Sequence, residues 1–286
     1  MDSFRTIGLA LAFSPTAEAM LAETIRLKRL LQAELVLIHV GVHTPNEDRQ
    51  LHLLLERVGV NATEVRMVWQ SGDPAHEILA ACRKENIDLL VAGALRRENL
   101  VKYYIGTIAR KIMRKSHCSL MMIVNPSTHP ADMRNIVVNA EDSQWVKKSI
   151  RIACRLAELQ SNAWVHIVRE LKLYGLAMSA AHQHSEEEYA KLQQLLMQDE
   201  IEQVEKMLAT IPHTNNRINI KMLSGKSGFE LCKFAERKQA DLLVVGAPAK
   251  RFSLFDRVFP HDLEYVFADL PCNLLIVHPG KEDTHA

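Results

Sequence analysis

DLLVAGA at residues 88–94 and DLLVVGA at residues 241–247 are almost the same seven residues written twice. Each is an acid, a short run of Leu and Val, and a glycine, the pattern of a strand covered on both faces that ends in a turn. The echo continues outward at one constant offset: Ser71-Gly72 recurs as Ser224-Gly225, and IVNP at 123–126 recurs as IVHP at 276–279. Nearer the start the offset is shorter, with RTIGLALAFS at 5–14 answered by RNIVVNAEDS at 134–143 and LIHV at 37–40 answered by VHIV at 165–168. The chain is a duplication whose second copy carries roughly 25 extra residues between its second strand and its Ser-Gly turn.

Each copy alternates strands and helices. Ser14-Pro15 reads as N-cap and first residue of a helix in which Met20, Leu21, Ile25, Leu27, Leu30 and Leu31 keep a helical period. LVLIHV, VRMVW, LLVAGA and LMMIV are continuous apolar runs of strand length. The pattern predicts an α/β chain of two open parallel-sheet, Rossmann-like domains, at 1–128 and 129–286. The surplus of the second copy is a helical insertion at about 169–216, where Ser185 and Glu188 form a capping-box pair and Tyr189, Leu192, Leu196, Val204 and Leu208 supply an apolar stripe. Its length suits packing over extra surface or along a partner chain.

Bulk composition narrows the function. The 286 residues are 48% apolar, enough for two cores, and 35 basic against 34 acidic residues leave no electrostatic footprint for nucleic acid or an anionic membrane. The five cysteines lack any CxxC spacing, which fits buried thiols in a reducing cytoplasm. The start, MDSFRTIGLALAFSP, imitates a short signal peptide, but Asp2 spoils the basic n-region and the same apolar pattern recurs inside the chain. No run reaches membrane-spanning length.

In an open parallel sheet, ligands collect beyond the carboxyl ends of the strands where the strand order reverses. GALRRENLVKYYIGT at 93–107 falls there, with Gly106-Thr107 opening a helix whose free N–H groups favour an anion. These landmarks, with SGDPAHEIL and RKSHCSLMMIV, make the whole chain resemble a tandem universal stress protein. Nucleotide-binding members of that family carry Gly-x2-Gly-x9-Gly-Ser/Thr after the fourth strand. Here the spacing is kept as Gly93-x2-Arg96-x9-Gly106-Thr107, with arginine in place of the middle glycine.

The resemblance implies a non-catalytic cytoplasmic stress-response protein, at most a slow ATPase, that binds ATP or a related nucleotide, with Mg, in the first domain. Its nucleotide residues would be Val40, whose backbone meets the base, Gly93, Arg96, Gly106 and Thr107. It also implies an internal pseudo-dimer and a homodimer as forms of assembly. The strand-one acid of ATP-binding relatives is Ala12 here. Arg96 has two readings: its guanidinium replaces a backbone contact to phosphate, aided by Arg97 or Lys102, or its side chain closes the loop.

The second copy has Glu141 at the acid position, yet its loop GAPAKRFSLFDRVFPHD sets Phe259-Pro260 where Gly-Thr belongs. Proline has no N–H to offer a phosphate. Phe252, Phe255, Val258 and Phe259 instead suit core packing, an acyl-like ligand or a partner surface. Ser224-Gly225-Lys226-Ser227 imitates a phosphate loop but has Ile220 at the upstream glycine position, so it reads as a strand-to-helix turn. His182 and His184 offer only two metal donors, and no metal site is assigned. No catalytic residue is assigned either, because no nucleophile and base constellation is present. The alternative function is an interaction or scaffold module with both nucleotide sites degenerate, binding an apolar ligand or a metal through domain 2. The last strands, SLMMIVNP and NLLIVHP, are the expected edges for pairing between halves or chains.

Overall fold

A computed structural model describes residues 4–96, 103–141, 145–171, 186–213, 216–224, 228–247 and 266–278. The first half runs β1 (Thr6–Ala10), α1 (Ala17–Leu31), β2 (Glu34–Val40), α2 (Pro45–Arg57), β3 (Arg66–Gln70), α3 (Pro74–Lys84) and β4 (Leu89–Gly93). The short strands β5 (Leu95–Arg96) and β6 (Tyr103–Tyr104), α4 (Thr107–Lys115) and β7 (Ser119–Ile123) complete it. The second half repeats the plan as β8 (Asn135–Asn139), α5 (Val146–Glu158), β9 (Trp164–Leu171), α6 (Glu186–Leu208), β10 (Arg217–Ser224), α7 (Phe229–Arg237), β11 (Leu242–Gly246) and β12 (Asn273–Val277).

The acid that opens each repeated strand has a structural task. Asp88 Oδ2 accepts the backbone N–H groups of Arg5 and Thr6 at 3.0 and 3.1 Å. Asp241 Oδ2 accepts those of Arg134 and Asn135 at 2.7 and 2.8 Å. Each carboxylate thereby pins the start of the first strand beside the fourth. The leucines and valines that follow are fully buried, because helices cover both faces.

Helix starts follow local chemistry. Thr44 caps α2 in a reciprocal box with Glu47, with Pro45 in the first turn. Asp73 caps α3 by accepting from His76 N–H, after Gly72 turns the chain at φ +136°, a conformation side chains avoid. The helix expected to start at Pro15 begins at Ala17 instead, capped by Thr16 without a side-chain bond to the backbone. Ser14 Oγ and Thr16 Oγ1 hydrogen-bond to each other at 3.1 Å, so Ser14 is engaged away from the helix N–H groups.

Each half orders its strands with the first beside the fourth, and the two sheets fuse into one of ten strands, β10-β9-β8-β11-β12-β7-β4-β1-β2-β3. All neighbours are parallel except β12 and β7, which pair antiparallel with Leu275 opposite Met121. Side chains reinforce this seam: Asn273 Oδ1 accepts from Val124 N–H at 2.8 Å, and Ser119 Oγ accepts from His278 N–H at 3.1 Å. One core, with α1, α2, α5 and α6, covers one face. The other, with α3, α4 and α7, covers the opposite face.

Strand pairing corrects one equivalence read from the sequence. Ile7 pairs with Leu89 and Ile136 with Leu242, which makes Ala10 the counterpart of Asn139. Ala10 pairs with Ile38 and Asn139 with Val168, so LIHV at 37–40 corresponds to IVRE at 167–170 and not to VHIV. His39 therefore matches Arg169, while His166 lies on the other face against Phe234, with ring centroids 5.9 Å apart.

Candidate functional site

Beyond the carboxyl ends of β1 and β4 the first half presents Ala12, Gly93 and Thr107, all exposed, although Leu11, Val91 and Gly106 behind them are buried. Gly93 ends β4; a Cβ there would lie 3.4 Å from Met20 Sδ on α1, an ordinary contact. Val40 ends β2 half-buried, paired with Gln70. The stretch expected as a plain loop contains an antiparallel ribbon, with Leu95 opposite Tyr104 and Arg96 opposite Tyr103. Arg96 is thus placed by its backbone on β5; its side chain, Arg97 and Lys102 lie outside the described residues.

Gly106 is the N-cap of α4, and no side chain caps that helix. A Cβ on Gly106 would lie 2.5 Å from Leu95 Cδ1, so the half-exposed Leu95 side chain of the ribbon would have to move aside to admit one. The first turn of α4 holds no acid, and Arg110, Lys111, Arg114 and Lys115 follow it. The dipole thus makes the helix start attractive to an anion, while Arg114 and Lys115 complement its carboxyl end. Arg110 Nε donates to Ile105 O at 3.0 Å and Lys111 Nζ lies 3.5 Å from Asp73 Oδ2, which tie the helix to its approach and to α3.

The ribbon is also fastened to the second half. Leu270 N–H donates to Tyr103 O at 2.9 Å and Ile105 N–H donates to Phe267 O at 3.1 Å. Tyr103 Oη donates to Asn125 Oδ1 at 3.2 Å. The position of the candidate cradle therefore depends on both copies, a dependence absent from its local motif.

Along the outer strands of the first half, sequence reasoning missed an aromatic group. Trp69 stacks on His43 with centroids 4.3 Å apart, and Phe13 and the buried His39 complete the group. His39 Nδ1 lies 3.0 Å from Leu11 O, and Glu47 Oε1 is 3.7 Å from its Nε2. In the second half Arg169, at the same position as His39, donates to Ala140 O at 3.4 Å and pairs with Glu200 of α6.

The five cysteines are free thiols. Hydrogen bonding to Cys118, followed by burial, pushes the Cys82 thiol up, away from the thiolate needed of a nucleophile. His182, His184, Phe252, Phe255, Val258, Phe259 and Pro260 lie outside the described residues, as do Lys226 and Ser227. Among the described residues no group of three His, Cys, Asp or Glu side chains is placed to hold a metal, and no helix is long and apolar enough to cross a membrane.

Two fused parallel sheets, each with its strand order reversing between its first and fourth strands, and one with a glycine-started helix after its fourth strand, define a tandem α/β protein. The universal stress protein family model matches residues 43–124 and 133–278, and the chain belongs to that family. It is 23% identical to universal stress protein YxiE of Bacillus subtilis (strain 168) over 146 residues, 42% of this chain and 99% of that protein. Its fold is similar to a functionally unknown protein from Pseudomonas aeruginosa PAO1, with TM-score 0.70 and 16% identity over 99% of this chain and 96% of that one. A universal stress protein from Archaeoglobus fulgidus DSM 4304 gives TM-score 0.65 and 14% identity over 96% and 98% of the two chains.

Proposed function

We propose that this universal stress protein is a non-catalytic, nucleotide-responsive module whose first half binds ATP or a related nucleotide with Mg. The observation that carries this reading is the start of α4: Gly106 caps it without a side chain, Thr107 is exposed, and Gly93 is exposed at the end of β4. The free N–H groups and the Thr107 hydroxyl suit phosphate oxygens, and the Val40 backbone at the end of β2 suits the base. Ala12 supplies no carboxylate, so the phosphate end carries more of the affinity than an acid-containing site would require. Arg96 enters as a phosphate contact from the ribbon.

The test is a thermal-shift titration with Mg-ATP on the full chain, beside Gly93→Asp and Arg96→Gly. The expected result is a saturable rise in melting temperature, since a ligand that binds only the folded state stabilises it by mass action. Gly93→Asp should abolish the rise by adding a negative charge at the crevice, and Arg96→Gly should weaken it. An unchanged melting temperature in the parent chain, with a rise appearing in Arg96→Gly, would show that arginine closes the loop and would overturn the reading.

A further inference from the structure

Folding of the first half brings two thiols together. Cys82 lies near the end of α3 and Cys118 immediately before β7, and both belong to the core beneath α3 and α4. Their side chains hydrogen-bond to each other. Ser116, which follows α4, fixes the backbone of Cys118: its Oγ donates to Cys118 O at 2.8 Å, accepts Cys118 N–H at 3.2 Å and lies 3.2 Å from Cys118 Sγ. Cys82 is 0% and Cys118 4% exposed, so only a small reagent reaches the pair in the folded chain.

The duplication supplies an internal control. Ile87 N–H donates to Cys82 O as Ala240 N–H donates to Ala235 O, so Ala235 is the counterpart of Cys82. Leu89 pairs with Ser119 as Leu242 pairs with Asn273, which sets Cys272 at the position of Cys118 and Leu270 at that of Ser116. Cys272 thus keeps the thiol but lacks both groups that engage it in the first half. Burial pushes the Cys272 thiol up, and its Sγ donates to Asn273 O at 3.4 Å. Around Cys118 the balance is reversed: the hydrogen bond from Cys82, with Ser116 adding to it, holds the Cys118 thiol down against the cost of burial. Cys82 keeps its proton and donates it. One nucleophilic sulfur beside one protonated thiol is the arrangement that disulfide formation requires.

We propose that Cys82 and Cys118 form a modification site that a hydroperoxide oxidises to a reversible disulfide. The Cys118 sulfur attacks one oxygen of hydrogen peroxide, the O–O bond breaks, and water leaves with the thiol proton, giving a Cys118 sulfenic acid. The Cys82 sulfur then attacks that sulfur; the S–S bond forms, the S–O bond breaks, and a second water carries off the Cys82 proton. Two thiols lose two electrons, and one hydrogen peroxide becomes two waters. The bond joins α3 to the start of β7 and closes a loop that holds β4, the ribbon and α4, so oxidation staples the backbone carrying Gly93, Gly106 and Thr107. The assignment is independent of whether that backbone binds a nucleotide.

The experiment treats the folded full chain with hydrogen peroxide, blocks the remaining thiols in denaturant, and maps the peptides by mass spectrometry. Two of the five thiols are expected to be lost with two hydrogens, in one linked peptide pair, Cys82 with Cys118, that dithiothreitol separates. Cys154, Cys232 and Cys272 should stay as thiols. Cys118→Ser should abolish the link, and Cys82→Ser should leave a Cys118 sulfenic acid that dimedone traps. Glutathione disulfide at the same concentration should leave all five thiols in place, because it is too large to enter the folded core. Five thiols remaining after peroxide, a link that involves any other cysteine, or linking by glutathione disulfide as fast as by peroxide would each overturn the proposal.

Discussion

His39 and Arg169 stand at one position of the duplicated fold, and each directs a nitrogen toward the carbonyl that follows the first strand, on Leu11 or Ala140. Each also faces an acid of the next helix, Glu47 or Glu200. His278 shows the opposite case, where equivalent positions diverge: its counterpart is Asn125, but burial pushes its imidazole down to about 4, with His117 and Lys148 acting in the same direction. The unfolded chain takes up that proton near the ordinary value of 6.5, so between 6.5 and 4 the unfolded state binds more protons than the folded one. Stability is therefore full above that window and falls as pH falls through it, by up to about 3 kcal/mol. Urea unfolding in phosphate-free buffer should show that His278→Asn loses less stability than the parent on going from neutral to acid pH. Identical pH dependence in the two proteins would contradict this assignment.

At the scale of elements, α6 is the part that distinguishes the second copy. Val204 and Leu208 bury its carboxyl-terminal turns in the core, while Leu195 remains 58% exposed near its middle. The Arg169–Glu200 pair joins the helix to the end of β9, and Gln203 accepts from the same guanidinium at 3.3 Å. Arg169 is 4% exposed, so removing it strands its partners. Arg169→Ala should destabilise the chain by about 3 kcal/mol, measured by urea unfolding. A change near zero would mean that apolar contacts alone hold the helix. The same scale shows where sequence signals were sufficient. The α2 cap is explicit in Thr44-Pro45 and Glu47, whereas the β5–β6 ribbon contains only two residues per strand and has no length over which a period can register.

Across the whole molecule, antiparallel pairing of β7 with β12 removes two edges that separate halves would expose. The ribbon beside α4 bonds to Phe267 and Leu270 of the other half, which couples the candidate nucleotide site to that seam. The two halves should therefore unfold together. Calorimetry of the full chain is expected to give one transition whose calorimetric and van't Hoff enthalpies agree. Two resolved transitions would show that the seam contributes little.

The duplicated heptapeptide, the helical periods and the glycine spacing determined the family and the α/β class, because these depend on short-range patterns of burial and backbone freedom. Even the acid of that heptapeptide acts locally in topology, pinning one strand beside its neighbour. The equivalence of His39 with Arg169, the fusion into ten strands and the bonds from the ribbon to Phe267 and Leu270 required tertiary structure. Strand register and helix docking bring residues far apart in the chain to one place, and no local pattern records which of their polar atoms is left without a partner.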